Sequence, residues 1–313
     1  MAKSKTKKAH SRAKKAPQPA AGEAIRLRKQ EKLSFLARMD HKKMILYPLA
    51  VFIVAVLILA VHFPTLGIDL KGGVVVTATG VSANPDALAK YIHDQTGINV
   101  NVESFTGLGG SGVRVYASAG TDPGAIINVL EKRYPNAQYQ HSEVSATFGK
   151  LAQEQGLKAI ILAFIGMAVV VFLFFRNPVS STAIVFSAFS DMVIAVATMG
   201  IFGIQLTTAT IAALLMLIGY TVDSNILLTT RVLRRREKDV ESAYLSAVST
   251  GFTMSTTTLV ALIVLRLVST SQVIDNIAVV LIFGLIADFM NTWIFNAGVL
   301  RWYLARNSGG GRT

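Results

Sequence analysis

The sequence predicts an α-helical membrane protein with six transmembrane helices and one small α+β domain inserted after the first of them. Three observations predict it. Six apolar runs approach or exceed the length that crosses a bilayer, about 20 residues at 1.5 Å rise. Between the first and second run lies a polar stretch of short segments separated by turn residues. Charged residues make up 16% of the 313 and hydrophobic ones 52%, whereas an ordinary soluble domain is about 25% charged.

Residues 1–43 hold 14 Lys/Arg against Glu23, Glu31 and Asp40. They account for most of the net charge of +13. Residues 1–22 are rich in Lys, Ala and Pro with almost no apolar bulk, which predicts disorder. Residues 23–43 place Ile25, Leu27, Leu33, Phe35 and Leu36 among basic residues. That pattern fits either an amphipathic helix on anionic lipid or a solvated positive flank. The first span is expected at 44–63. It is too long for a cleavable signal, and no small-residue cleavage site follows it. The basic residues before it predict a cytoplasmic N-terminus.

Residues 64–157 differ in kind, with 8 acids, 6 bases and short runs. Val74–Thr79, Ile98–Phe105, Val113–Ala117 and Gln138–Phe148 read as strands, and Pro85–Thr96 and Asp122–Tyr134 as helices. The order β-α-β-β-α-β is that of a ferredoxin-like split domain, here extracytoplasmic. Further spans are expected at 159–175, 179–203, 206–229, 251–270 and 273–299, with a basic cytoplasmic loop at 230–250 and a cytoplasmic tail at 300–313. Arg176, Arg231 with Arg234–Arg236, and Arg301 then fall inside, and the two short outer links carry no Lys or Arg, as the positive-inside rule requires.

Asp191, Asp223 and Asp288 each lie within an apolar run. A carboxylate at membrane depth costs roughly 2.5–3.5 kcal/mol on insertion scales. Each has small or polar residues at helical spacing: Ser187 and Ala195 around Asp191, Gly219 and Thr230 around Asp223, Gly284, Asn291 and Thr292 around Asp288. Lipid-facing positions would carry Leu, Ile or Phe. Two uses are open: a proton relay, because desolvated carboxyls can take and release protons, or glue between helices. Arg266 is the one base inside a late span. It is expected to pair with a carboxylate across the bundle or with Asp275, or to snorkel to headgroups.

Other motifs carry no chemistry. Gly107–Gly112 fits G-x-G-x-x-G, but an alternating strand pattern follows it where a dinucleotide site needs a helix, so it reads as a hairpin turn. There is no G-x-x-x-x-G-K-[ST], H-E-x-x-H or G-x-S-x-G sequence, no cysteine, and no His spacing suited to a metal. The chain reads as a non-enzyme without cofactor.

Two segments carry a resemblance. Gly67-Ile68-Asp69-Leu70-Lys71-Gly72-Gly73 resembles the G-[IL]-D-x-x-G-G signature of the SecD/SecF protein-export family. Leu217-Ile218-Gly219-Tyr220-Thr221-Val222-Asp223-Ser224-Asn225, leading into Thr230-Arg231-Val232-Leu233-Arg234, resembles the family's fourth-span motif, and Gly251–Thr258 its Thr-rich fifth span. The short first loop is similar to SecF and the Thr-Arg-Val-Leu-Arg ending to its archaeal branch, while Val-Asp-Ser-Asn is closer to the SecD pattern than to the Asn-Asp of bacterial SecF. The resemblance implies one six-span half of the RND superfamily fold. It implies a SecD partner, a SecYEG-type channel and exported polypeptides as partners, and a proton-coupled role for Asp223, with Arg266 as the fifth-span base. A scaffold joining SecD to the channel and an RND-type small-molecule transporter are the alternatives.

Overall fold

The computed structural model describes residues 39–107, 110–233, 240–269 and 271–309. The expected amphipathic segment before residue 39, the tip of the glycine-rich turn at 108–109 and the basic residues 234–239 lie outside them. Among the described residues, six helices are long and apolar enough to cross a membrane. They are α1 (His41–Val61), α5 (Ala146–Phe175), α6 (Pro178–Ile201), α7 (Thr208–Leu233), α8 (Val240–Val268) and a last one. The last is α9 (Gln272–Met290), which continues through a π-helical turn, Asn291–Asn296, into α10 (Ala297–Gly309). The turn joins them without a break, so the sixth span runs from Val273 to Arg306. Half of the apolar stretch of α6 and of α7 is buried, against 6% of that of α8. The first pair therefore forms the centre, and α8 shows most of its surface outward.

The α+β domain follows α1. A four-residue helix, α2 (Ile68–Lys71), leads into β1 (Gly73–Thr79), α3 (Pro85–Thr96), β2 (Val100–Gly107), β3 (Gly110–Ala117), α4 (Pro123–Arg133) and β4 (Gln138–Val144). The sheet order is β2-β3-β1-β4, antiparallel throughout. This is the ferredoxin-like arrangement. Strand alternation sends Val74, Val76, Ala78, Val113 and Val115 to one face, where they meet Leu88, Ile92, Ile126 and Leu130 of the two helices. Both helices begin alike: Asn84 and Asp122 cap free backbone N–H groups, and a proline follows each cap.

Among the described residues, hydrogen bonds attach the domain to the bundle at three points. Gly67 N donates to Leu206 O at 2.7 Å, and Leu206 N to Thr65 O at 2.7 Å, which ties the segment after α1 to the start of α7. Gln153 Nε2 of α5 donates to Leu70 O at 2.6 Å. Gln205 Nε2 donates to Glu103 Oε1 at 3.3 Å. Helix α5 starts at 146 and not at the expected 159. Ser145 caps it by accepting from Phe148 N, and an exposed Glu154–Lys158 pair one turn apart supports its polar first half. The helix therefore rises from the domain before it enters the apolar run.

Gly67, Asp69, Gly72 and Gly73 all lie at this junction. Gly72 has φ +80°, and a Cβ there would stand 2.7 Å from the Ala146 backbone. A Cβ on Gly67 would stand 2.6 Å from Thr207 Cγ2. The two glycines let three chain segments close on one another. Gly72→Val is expected to cost about 1–3 kcal/mol through backbone strain and to make the start of α5 open to protease, read by limited proteolysis of the purified protein.

Candidate functional site

The buried polar groups of the bundle gather on α6, α7 and the end of α9. Helix α6 is capped by Asn177, whose Oδ1 accepts from Val179 N at 3.0 Å, and its inward face carries Ser180, Ser187, Ser190 and Asp191. Helix α7 turns Thr221, Ser224, Asn225 and Thr229 toward it, all buried. On the third side the π-helical turn acts. Its i to i+5 bonding brings residues five apart to one face, so Asn291 and Asn296 both point inward and are at most 1% exposed.

These groups bond to one another. Asn291 Nδ2 donates to Asp191 Oδ1 at 2.6 Å and to Ser190 Oγ at 2.9 Å. Thr221 Oγ1 donates to Asp191 Oδ2 at 3.0 Å. Thr292 Oγ1 donates to Asp288 Oδ1 at 2.7 Å. Ser224 Oγ lies 2.9 and 3.0 Å from the two Asp288 oxygens and 3.0 Å from Thr221 O. Thr221 and Ser224 thus bridge the two acids. Both carboxyls are fully buried. Among the described residues neither forms an ion pair, the pairs found being His41–Asp40, Lys158–Glu154 and Arg266–Asp275.

The network continues away from the α+β domain. Asn225 Nδ2 donates to Thr221 O at 2.8 Å and approaches Ser187 Oγ at 3.5 Å. Asn296 Nδ2 donates to Asn225 Oδ1 at 2.6 Å and approaches Thr229 Oγ1 at 3.5 Å. The buried side-chain oxygens of Asn296, Ser180, Ser181 and Thr230 have no hydrogen-bond partner among the described residues.

Asp191, Asp288 and Asn225 meet in this network, and Asp223 does not. One residue before Ser224, Asp223 is exposed, turned about 100° from it around α7. It lines a cleft of about 140 Å3 with Tyr220, Ser224, Leu227, Gly251, Met254 and Ser255, so the cleft reaches the network at Ser224. Gly219 is also exposed, and the Tyr220 hydroxyl shares a hydrogen bond with that of Thr258 on α8. Gly219, Tyr220 and Asp223 therefore form an outward stripe. Arg266 is exposed and pairs with Asp275 at 3.2 Å, at the domain end of α8 and α9, apart from the acid pair. Sequence reasoning missed Thr221, Ser224 and Asn296. The spacing of Thr221, Ser224, Asn225 and Thr229 was the available signal, a polar stripe on one face of α7.

Six candidate spans, a ferredoxin-like domain after the first and buried carboxyls at the centre define a multi-span membrane protein with an inserted α+β domain. The family described as "Protein export membrane protein SecD/SecF, C-terminal" matches residues 126–306. Among curated relatives, a "Protein-export membrane protein SecF" of Thermococcus gammatolerans is 68% identical over 88% of this chain and 90% of its own length. That of Pyrococcus furiosus is 60% identical over 90% and 97%, and that of Methanocaldococcus jannaschii 38% over 85% and 96%. A crystal structure of a Thermus SecDF, described as a translocon-associated membrane protein, superposes with TM-score 0.70 at 16% identity. The match covers 86% of this chain and 38% of the SecDF chain. The chain belongs to the SecF family of protein-export membrane proteins.

Proposed function

We propose that this chain is the SecF subunit of an assembly with SecD that assists polypeptide export through a SecYEG-type channel, and that Asp191 and Asp288 couple it to the proton gradient. The observation that carries the reading is the fully buried acid pair bridged by Thr221 and Ser224, to which no base is bonded among the described residues. A proton gained or lost there changes the charge of a site that has no countercharge, and so changes which helix packing is favoured.

The coupling has a route. The bridging groups lie on α7, and the start of α7 is bonded through Leu206 to Gly67 and Thr65 beneath the α+β domain. A shift of α7 moves that junction, and the domain holds or releases emerging chain. The domain lies outside the cell and both termini inside. Arg231, Arg301 and Arg306 at the end away from the domain support this orientation, and the basic residues before α1 meet anionic lipid there. SecD supplies the second half. The SecDF chain is more than twice as long as its matched part, and the outward stripe of Gly219, Tyr220 and Asp223 is the face a sister half would cover.

Asp288→Asn is expected to abolish the stimulation of export by a proton gradient in vesicles holding the channel, SecD and this protein, while SecD still co-purifies. Unchanged stimulation would sink the proton reading. It would leave the scaffold reading, which the side-chain hydrogen bonds to both acids favour, and under which Asp288→Asn alters stability alone.

A further inference from the structure

A cleft of about 430 Å3 lies where the α+β domain meets the bundle. That is within the range of about 300–1,000 Å3 that small-ligand sites occupy. One wall comes from the sheet. Asn101 of β2 stands opposite Tyr116 of β3 in the ladder, and strand alternation sends both to the face away from α3 and α4. Asn99 and Ser118, just outside the two strands, extend this wall. The facing wall holds Lys71 at the end of α2 and Gln205 in the link between α6 and α7. The bond from Gly67 N to Leu206 O holds α2 against that link.

The lining carries charge of one sign. Lys71 is exposed and, among the described residues, forms no ion pair. No acid lines the cleft among those residues. Glu103 lies on the same face of β2 beyond Asn101, where it accepts from Gln205 Nε2 at 3.3 Å and stands opposite Arg114 in the ladder. The other polar side chains are three amides and two hydroxyls, groups that both donate and accept. One cation among such groups suits a ligand with a negative charge and several hydroxyls.

The cleft also sits at the border of the apolar belt. Helix α1 ends at Val61 and α6 at Ile201, and a Cβ on Gly200 would run into the His62 carbonyl, so the two spans finish side by side. Val61, Phe63, Ile201 and Phe202 are all exposed at this level. Gln205 follows three residues after Phe202. Exposed apolar side chains at a span end meet acyl chains, and the polar headgroups lie just beyond them.

We infer that the cleft binds the headgroup of a lipid in the leaflet on the domain side, with a phosphate ester at Lys71, headgroup hydroxyls at Asn99, Asn101 and Gln205, and the acyl chains against the exposed ends of α1 and α6. The site is separate from the acid pair, and its occupancy does not depend on proton coupling.

The test uses the full chain with SecD in phosphatidylcholine vesicles that hold a minor fraction of phosphatidylinositol, which has both phosphate and hydroxyls. The inositol carries a photoactivatable diazirine, and labelled peptides are mapped by mass spectrometry. Labels are expected within residues 68–72, 99–101 and 116–119. Lys71→Gln is expected to reduce them about tenfold, the weight of one charge-assisted hydrogen bond, and Asn101→Leu to reduce them as well. Both residues are exposed, so neither change disturbs the core. Lys90→Gln, on an exposed lysine of α3, leaves the labels as they are. Labels confined to other segments, residues 1–43 included, or labels unchanged in Lys71→Gln, overturn the inference. The same diazirine on soluble inositol phosphate separates two sources of the phosphate ester. A silent soluble probe supports the lipid, and equal labelling by it assigns the cleft to a free phosphate ester and overturns the lipid assignment. A stalled export substrate that labels these segments while the lipid probe stays silent assigns the cleft to polypeptide and overturns it too.

Discussion

Trp293→Ala is expected to lower the stability of the purified protein by about 3–5 kcal/mol, the usual cost of truncating a buried aromatic. The indole is fully buried in the π turn, among Met44, Leu228, Val232, Tyr244, Val248, Ala297 and Leu300. These side chains come from α1, α7, α8 and α10, so the ring joins the first span, the central span and both late ones. The Trp293 carbonyl accepts from Tyr244 Oη at 2.8 Å, which fixes α8 to the turn. Packing, and not the hydrophobic effect, holds helices together in lipid, so the cost of this void is the lost contact between the ring and its neighbours. The same contact predicts the converse. A Cβ on Gly251 would stand 1.8 Å from the Trp293 ring, so Gly251→Leu overfills what Trp293→Ala empties. Each alone should lower the thermal midpoint in detergent, and together they should destabilise less than the sum of the singles. Strict additivity would show that ring and glycine do not share one packing site.

The fold was readable because membrane spans and strand alternation are strong, local signals. Six apolar runs and the order β-α-β-β-α-β correspond to the helices and sheet of the structure. The site was readable only in part. Asp191 and Asp288 follow from acids set in apolar runs, a signal one residue carries by itself, whereas Asn225 entered only through the fourth-span family motif. Asp223 carries the same signal and faces outward. The difference between it and Ser224 is a rotation of 100° about the α7 axis, which no hydropathy sum resolves when both faces hold small or polar residues. In this chain alone the Asp223 face is open, and a face completed by another subunit leaves no separate mark in one sequence. The π turn was invisible for a different reason. An extra residue in a helical turn has no composition of its own, yet it is what brings Asn296 alongside Asn225. The extended start of α5 was missed because the expected span followed hydropathy alone, and a capped helix with an ion-paired polar half needs no apolar run.

Asn291→Leu is expected to cost about 3 kcal/mol or more, since it strips a fully buried carboxyl of its nearest donor. Asn291 Nδ2 stands 2.6 Å from Asp191 Oδ1, and the same amide reaches Ser190. Leucine fills similar space, so the loss is that of the bond and not of volume. Asp191 would keep only Thr221 Oγ1 at 3.0 Å. Asp191→Leu should cost less than Asn291→Leu. It removes the group that is expensive to bury and leaves a neutral amide, which retains Ser190. The double variant Asp191→Leu with Asn291→Leu should recover part of the loss, with a coupling energy of about 1–3 kcal/mol across the cycle. Thermal unfolding of the protein co-purified with SecD gives all four corners. The ordering separates the two uses of the pair. If the acids serve only as glue, removing both polar partners is nearly neutral and export follows stability. If they carry protons, the double variant regains its stability and still fails to respond to the gradient, because the packing is restored and the titrating group is gone.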